Sequence, residues 1–455
     1  MKQFTILCLI SNFIFTFPLT SCKKYLEEKP DKKLVELKTL DDLEALLDDN
    51  SLINKETTPG FGETSADDYF LQLSDYNSLT DFDKSLYTWR PAEYKFNNDW
   101  AVGYLGIYSA NYCLDYVDNI QRTPANLIQW DNVKGSALFH RAYRYLNLIW
   151  IYGKAYDQTT SQLDLGVVLR LNSDPSMPSV RASVKECYER VITDAKEAAL
   201  FLPNTPQHVM RPSKAAAFGL LARAYLSMRM YDSAYKYSNQ ALQIKNDLLD
   251  FNDPSVDPFS MPPFQPFNKE IIFYTTQTQF YWPKNPYIAL IDTLLYNSYD
   301  DNDLRKTAFF YENFGFHAFQ GTYSTDDIED LFTGIATDEL YLIRAECHAR
   351  ATPVRISDAM NDLNILLSKR WATGTFIPHT ATNQQLALAL VLTERRKELL
   401  MRGLRWIDIK RFNKEGADIT LKRIADQVYT LPPNDSRYAL PIPKDIIDIT
   451  GMPQN

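Results

Sequence analysis

The chain has 455 residues, 45% of them apolar and 23% charged, a balance that fits a globular protein and excludes a disordered one. Its formal net charge of −9 is spread along the chain with no long basic run, which argues against a nucleic-acid partner. The length allows one large domain or two ordinary ones. Aromatic residues are abundant, with 28 Tyr, 25 Phe and 7 Trp. Such rings fill cores, and they also make the flat surfaces on which sugars and peptides stack.

Met1-Lys2-Gln3 is a short basic start, and the stretch that follows, "FTILCLISNFIFTF", is almost wholly apolar. It has the length of a secretory signal's hydrophobic region and falls short of the about 20 residues that span a bilayer. The run ends in "FPLTSCKKYLEEKP", where Leu19-Thr20-Ser21 leads straight into Cys22 and charged residues begin at once. Three readings compete for Cys22: half of a disulfide, a reactive thiol, or a modified residue. The order Leu, small, small, Cys resembles the lipobox of bacterial lipoproteins, with Thr20 and Ser21 in place of the commoner Ala and Gly. That resemblance implies cleavage before Cys22 and acylation of its thiol. Acyl chains contribute about 0.8 kcal/mol per buried methylene, so two or three anchor a protein without a transmembrane helix. Cys22 is the expected lipid attachment point, ahead of the plainer reading of an ordinary signal with an incidental cysteine. Cys8 would leave with the signal. Cys113, Cys187 and Cys347 are far apart, lie in helical-looking stretches and show no zinc spacing, so buried free thiols are expected.

After an acidic, mixed tether, Leu40, Leu43, Leu46 and Leu47 have helical spacing. From Trp100 to Ile120, apolar and aromatic residues recur every three or four positions, which predicts an amphipathic helix. "VKGSALFHRAYRYLNLIWIYG" predicts a second, stopped by Gly153, and "VKECYERVITDAKEAALFLP" a third, closed by Pro203. In "AAAFGLLARAYLSMRMYDSAYKYSNQAL", Phe218, Leu221, Ala222, Tyr225, Ala234 and Ala241 fall at the offsets of a tetratricopeptide repeat, although Ser238 stands where a large residue is usual. "DELYLIRAECHARA" and "ISDAMNDLNILLSKRW" have the same helix-turn-helix character. The fold class expected is mainly α: a tetratricopeptide-like α-solenoid, a right-handed superhelix, with a loop-rich insertion containing short β-strands. That insertion, from about 250 to 330, is rich in Pro, Asn, Asp and aromatics, and Ile271 to Thr276 reads as a short strand within it. A loop-rich insertion on a rigid scaffold is where ligand contacts are expected.

"TERRKELLMRGLRWIDIKRF" is the densest charge cluster, but Glu394 and Glu398 lie four apart on one helix beside Arg395, Arg396 and Arg402. A glycosidase needs two carboxylates about 5 to 9 Å apart across a cleft. Structural pairing, with Glu398 and Arg402 at i and i+4, is expected instead, and Thr382 and Gln385 form a capping-box pattern at the helix start. Asp67-Asp68, Asp300-Asp301 and Asp326-Asp327 read as turn and cap residues, since "DDNDLRK" lacks the Gly and distal Glu of a calcium loop. The five histidines show no metal-binding spacing, and His140 and His348 are expected to be packed within helices. No catalytic constellation emerges. What remains is the aromatics in loops: Tyr281 and Trp282 before Pro283, then Tyr287, with Gln277, Gln279 and Asn285 to bond hydroxyls. These rings either stack on a ligand or pin the insertion to the scaffold. Trp89 and Trp100 could belong to either class, whereas Tyr69 and Phe70 are expected in the core.

Several segments, in order, resemble the SusD/RagB family of outer-membrane nutrient-binding lipoproteins. They are "SCKKYLEEKPDK", "GETSADDYFL", "ALFHRAYRYLNLIWIYGKA", "RASVKECYERVITDAKEA", "RPSKAAAFGLLARAYL", "EIIF", "NDLRK", "ERRKELLMRGLRWIDIKRF" and "ALPIPKDIIDITGMPQN". His140, where the family usually has Leu, and Met401-Arg402, in place of an aromatic-Glu pair, depart from its pattern. The resemblance implies a lipid-anchored, outward-facing lid above a SusC-like TonB-dependent transporter in the outer membrane, capturing oligosaccharides, or peptides in the RagB branch. Expected segments are a signal over 1–21, a lipidated tether and domain start over 22–99, tetratricopeptide-like helices over 100–250, the insertion over 251–335 and a helical part over 336–455. The expected ligand-binding residues are Tyr281, Trp282, Tyr287, Asn285, Gln279 and Trp89, with no catalytic residue, metal or cofactor. The alternatives are a peptide-binding member of the family and a tetratricopeptide scaffold for a protein partner.

Overall fold

A computed structural model describes residues 38–324 and 327–455; the apolar leader, Cys22 and Asp326 lie outside the described residues. Helices α1 (Leu40–Leu47), α2 (Asn50–Ile53) and α3 (Phe61–Ser65) lead to strand β1 (Tyr69–Phe70), then to α4 (Leu73–Ser78) and α5 (Asp81–Tyr87). The long helices follow: α6 (Asp99–Val117), α7 (Leu127–Tyr152), α8 (Val184–Phe201), α9 (Lys214–Ser227) and α10 (Tyr231–Ile244), with the hairpin β2 (Leu165–Val168) and β3 (Arg181–Ser183) before α8. Each packs on the next, and α10 passes the stack on to α13 (Thr337–Arg350), α14 (Ile356–Leu367) and α15 (Gln384–Glu398). The chain is thus mainly helical, built by neighbour-to-neighbour stacking. Small residues permit it: Ala222, Ala234 and Ala241 are fully buried where α9 meets α10, and Tyr225 stacks on Tyr237 with centroids 5.6 Å apart. Ser238 fits there because its hydroxyl donates back to the Tyr235 carbonyl.

The predicted helices are present with shifted ends: α6 stops at Val117 rather than Ile120, and α7 starts at Leu127 rather than Val133. Ser183 and Glu186 make a capping box for α8, and Asn98 and Ser213 cap α6 and α9. On α15 the cap is Asn383, whose side chain accepts from the Leu386 N–H, not the Thr382 and Gln385 pair. The three described cysteines are free and buried, and His140 is packed so deeply that burial pushes it down to about 3.

The insertion has more order than its sequence suggests. It contains β4 (Ile271–Phe273), β5 (Leu290–Ile291), α11 (Thr293–Asn297), α12 (Arg305–Ala308), β6 (Phe310–Asn313), β7 (Phe316–Phe319) and β8 (Ile335–Ala336). The predicted strand from Ile271 stops at Phe273, and Thr276 makes a separate bridge to Phe332. A four-stranded sheet in the order β1, β5, β7, β6 ties the insertion back to residues 69–70, Tyr69 facing Ile291 and Phe70 facing Leu290. Beneath it lies a core of Tyr69, Phe251, Phe264, Tyr299, Phe309 and Phe332, which absorbs much of the aromatic excess. After α15 come α16 (Arg405–Asn413), the hairpin β9 (Leu421–Ile424) and β10 (Val428–Leu431), and α17 (Lys444–Thr450).

The charge cluster on α15 is structural, with partners other than those expected. Arg305 donates to Asp303, Glu394 and Glu398, and Arg370 to Glu398 and Glu270, all deeply buried. Glu398 does not pair with Arg402. The helix ends at Glu398, Met401 takes a left-handed backbone (φ 58°), and Arg402 turns to Asp338 at 2.6 Å. Asp67 and Asp68 likewise hold Arg405 and Arg396 rather than a turn alone. Removing one member of a buried ion network strands the others without solvent. Arg370→Met is therefore expected to destabilise the fold by about 3–5 kcal/mol in chemical denaturation. A loss below about 1 kcal/mol would refute that role for the network.

Candidate functional site

Beyond β4 the chain runs extended alongside residues 54–60. The Asn54 side chain donates to the Tyr274 carbonyl, the Thr276 N–H to the Asn54 carbonyl, and the Thr278 N–H to the Thr58 carbonyl. Gln277, which the sequence offered for bonding a ligand's hydroxyls, is fully buried on this stretch. The chain reaches the surface at Gln279 and then alternates inward and outward. Tyr281 turns in, Trp282–Lys284 makes one turn of 3-10 helix, and the Asn285 side chain accepts from the Tyr287 N–H at 2.9 Å.

Two of the expected rings are core residues. Tyr281 is 2% exposed and packs on Phe61 (centroids 5.2 Å) and Phe82 (6.2 Å). Trp89 is 4% exposed, and its indole N–H donates to the Ser65 carbonyl. Tyr281, enclosed by protein, has no broad face to give, whereas Trp89 lies in the wall of a cavity that it shares with Phe61 and Pro441. Trp282 and Tyr287, in contrast, are 49% and 50% exposed. Phe96, absent from the sequence-based set, is 77% exposed. Tyr94, two residues before it, packs on Phe61 and Phe82, the rings that also hold Tyr281. One buried cluster thus supports two segments, each of which raises an exposed ring. Phe96 lies in "EYKFNND", where Tyr94 and Phe96 alternate with Glu93 and Lys95, and of the two rings Tyr94 is buried and Phe96 exposed.

The polar side chains of the loop are fixed by residues 327–330. The Asn285 side chain donates to Glu329 Oε1 at 3.0 Å, Gln279 to the Asp330 carboxylate, and the Tyr287 hydroxyl to Asp327 Oδ1 at 3.4 Å. Lys284 points inward, and its stem crosses so near Gly60 that a Cβ there would stand 2.7 Å from Lys284 Cε and 2.9 Å from the Thr278 carbonyl oxygen. Burial lowers the Lys284 amine to about 8, against the pull of Asp99 and Glu63. Asp99 accepts from the Thr278 hydroxyl at 2.5 Å and from the Phe61 N–H at 2.9 Å. Burial outweighs those bonds and raises it to about 6, and burial together with Asp68 lifts Glu63 well above the usual carboxylate range.

Two cavities are walled by residues outside this loop. One of about 640 Å³ is lined by Leu294, Leu388, Leu392 and Phe412, with Arg396 and Arg405 already engaged by the Asp67-Asp68 pair. The other, of about 340 Å³, has Trp89, Phe61, Arg90 and Pro441 in its walls. The first is a greasy groove whose polar groups are satisfied, which does not suit a hydroxyl-rich ligand. Among the described residues no cluster of acidic, histidine or cysteine side chains could hold a metal ion, and no helix is long and apolar enough to cross a membrane.

Two family profiles match the chain: one described as SusD-like, starch-binding and associating with the outer membrane, over residues 24–226, and the SusD family profile over 294–451. Solved structures agree over nearly the whole chain. A SusD superfamily protein from Bacteroides thetaiotaomicron is 22% identical, covers 92% of this chain and 99% of its own, and superposes with a TM-score of 0.75. A SusD-like carbohydrate binding protein from Bacteroides vulgatus is 22% identical, covering 90% and 96%, with a TM-score of 0.67. A SusD superfamily protein from Parabacteroides distasonis is 18% identical, covering 91% and 98%, with a TM-score of 0.65. No curated protein matches in sequence. The chain belongs to the SusD family. At such identities the structural likeness is one of fold, and the segment that carries Trp282 and Tyr287 lies between the two profile matches.

Because folding raises the Asp99 carboxyl from an ordinary 3.8 to about 6, its contribution to stability is full below pH 3.8 and is lost as the pH rises to about 6. The stability of the wild type relative to Asp99→Asn should therefore fall across that window in urea titrations, and be flat on either side. A difference that stays constant from pH 3.5 to 6.5 would contradict the assignment.

Proposed function

We propose that this chain is a non-catalytic lipoprotein of the cell surface that binds nutrient oligomers, glycans above all, and passes them to a SusC-like TonB-dependent transporter in the outer membrane. Lipid on Cys22 would hold it there. The observation that carries the binding reading is the pair of exposed rings, Trp282 and Tyr287, raised on a loop whose polar side chains and backbone are tied down. Flat rings stack on the C–H face of a sugar, and an ordered loop loses little conformational freedom on binding. Membership of the SusD family supports the nutrient and transporter parts of the proposal.

The absence of catalysis is supported by the engagement of the most conspicuous carboxylates. Burial alone would raise Glu394 and Glu398, but Arg305, Lys397 and Arg370 outweigh it and hold both ionised below the usual range. A general acid requires the opposite shift; Asp99 and Glu63 do have it, but both are enclosed by protein. Capture for import needs only micromolar affinity or weaker, about −8 kcal/mol or less in magnitude.

Calorimetric titration against glycan oligomers and, separately, mixed oligopeptides tests the proposal. Heat with a glycan is expected, and Trp282→Ala should abolish it while changing fold stability by no more than about 0.5 kcal/mol. Heat with peptides alone would assign the chain to the peptide-binding branch. Silence from both panels, with only non-transporter proteins captured in pull-downs, would favour a tetratricopeptide scaffold.

A further inference from the structure

The hairpin of β6 and β7 stands beside the loop of Trp282 and Tyr287. Its ladder pairs Phe310 with Phe319, Tyr311 with Ala318 and Asn313 with Phe316, and residues paired in this way share a face. Phe310 and Phe319 belong to the aromatic core. Tyr311, Asn313 and Phe316 therefore lie on the opposite face, and there the hairpin meets the loop. The Tyr311 hydroxyl donates to the Pro286 carbonyl at 2.9 Å, and the Asn313 side chain to the Tyr287 carbonyl at 3.0 Å. Phe316 packs on Phe70, centroids 5.3 Å apart, which anchors the hairpin to β1.

Two residues, Phe314 and Gly315, make the turn, with φ of 50° and 80°. Positive φ at both is the type I′ geometry, which favours Asn, Asp or Gly at the first place because a larger side chain crowds the backbone there. Phe314 is instead a large ring, 90% exposed, and Gly315 next to it faces open space. Three other large apolar residues among those described have positive φ: Trp89, Phe267 and Met401. Each of them packs within the fold, since Trp89 and Met401 are buried and Phe267 lies against the aromatic core. Phe314 has almost no such packing. A disfavoured conformation that buries nothing points to a contact outside the chain. Tyr287, half exposed and bonded through its carbonyl to the residue before Phe314, puts the ligand loop at the same edge.

We propose that Phe314 is a third ring of the ligand platform, reached only by oligosaccharides long enough to extend past Tyr287, so that the hairpin sets the length of glycan preferred. This rests on the reading of Trp282 and Tyr287 as the platform. A ring on a two-residue turn, between laddered strands that are tied to the loop, is ordered before the ligand arrives.

The contact is made by a side chain whose neighbouring strand amides are already bonded in the ladder, so affinity and not amide exchange reports it. Titration calorimetry with malto-, cello-, xylo- and chito-oligosaccharides, each as a length series from dimer to octamer, is the test. Affinity should rise with length in a series that binds. Phe314→Ala should weaken the longest members by roughly threefold to tenfold, the scale of one ring contact, and leave the shortest unchanged. Phe314→Trp should keep the length preference. Phe314→Asn suits the turn, so it should lose the preference as Phe314→Ala does while its urea midpoint holds or rises.

A lower midpoint in Phe314→Asn would show that the ring serves the fold, and would overturn the proposal. Equal weakening of short and long oligomers by Phe314→Ala would overturn it too. Binding that Phe314→Ala leaves intact at every length, but that Trp282→Ala abolishes, would remove the hairpin's role and leave the two-ring platform standing. Silence from every series, or binding that Trp282→Ala does not alter, would overturn the platform and the hairpin's role together.

Discussion

A single buried ionic network fixes where the insertion sits. Glu270 immediately precedes β4, and Asp303 and Arg305 border α12, so these residues belong to the insertion. Arg370 follows α14, and Glu394 and Glu398 lie on α15, so these belong to the helical stack. Tyr323 adds a hydroxyl to Glu270, and Arg370 also donates to the Leu249 carbonyl at the entry to the insertion. Nearly all of these groups are within the protein, out of contact with water. Such a network contributes little net stability over an apolar core of the same shape, but it tolerates very few alternative arrangements. Its value here is register: it admits one placement of a long, weakly patterned segment against the helices.

With its base held in that way, the loop from Gln279 to Tyr287 needs only local anchors. Tyr281 enters the ring cluster of Phe61, Phe82 and Tyr94. Lys284 enters the pocket between Gly60, Asp99 and Glu63, and residues 327–330 hold the amides. Every inward residue of this stretch is spent on fixing the loop, which leaves Trp282 and Tyr287 outside. The same packing that removes Tyr281 from the ligand surface sets the orientation of its neighbour. An exposed tryptophan on a preordered turn binds at a lower entropic cost than one on a mobile loop.

The helices were legible because their determinants are local. Period 3.6 apolar spacing, Ser183 with Glu186, and the alanines of residues 215–241 each act within a turn or a pair of helices. The structure departs from the sequence reading where the deciding partner is remote. Glu398 satisfies the i and i+4 rule with Arg402 on paper, yet the helix ends before Arg402, and Arg305 and Arg370 arrive from 93 and 28 residues away. The pairing of residues 69–70 with 290–291 has no local signature either. At the site, the stretch was legible and the individual roles were not. Tyr281 and Trp282 are adjacent and chemically alike, and which one turns inward depends on Phe61, Phe82 and Tyr94, more than 180 residues earlier. Trp89 was ambiguous for the same reason.

The central claim is that ligand meets the chain at the loop of Trp282 and Tyr287. Hydrogen exchange followed by mass spectrometry, with and without a saturating mixture of glycan oligomers, tests it most directly. The account predicts protection confined to peptides spanning 279–290 and 327–333, with a weaker effect around Phe96. Protection centred instead on residues 388–419, which wall the leucine-lined groove, would contradict it.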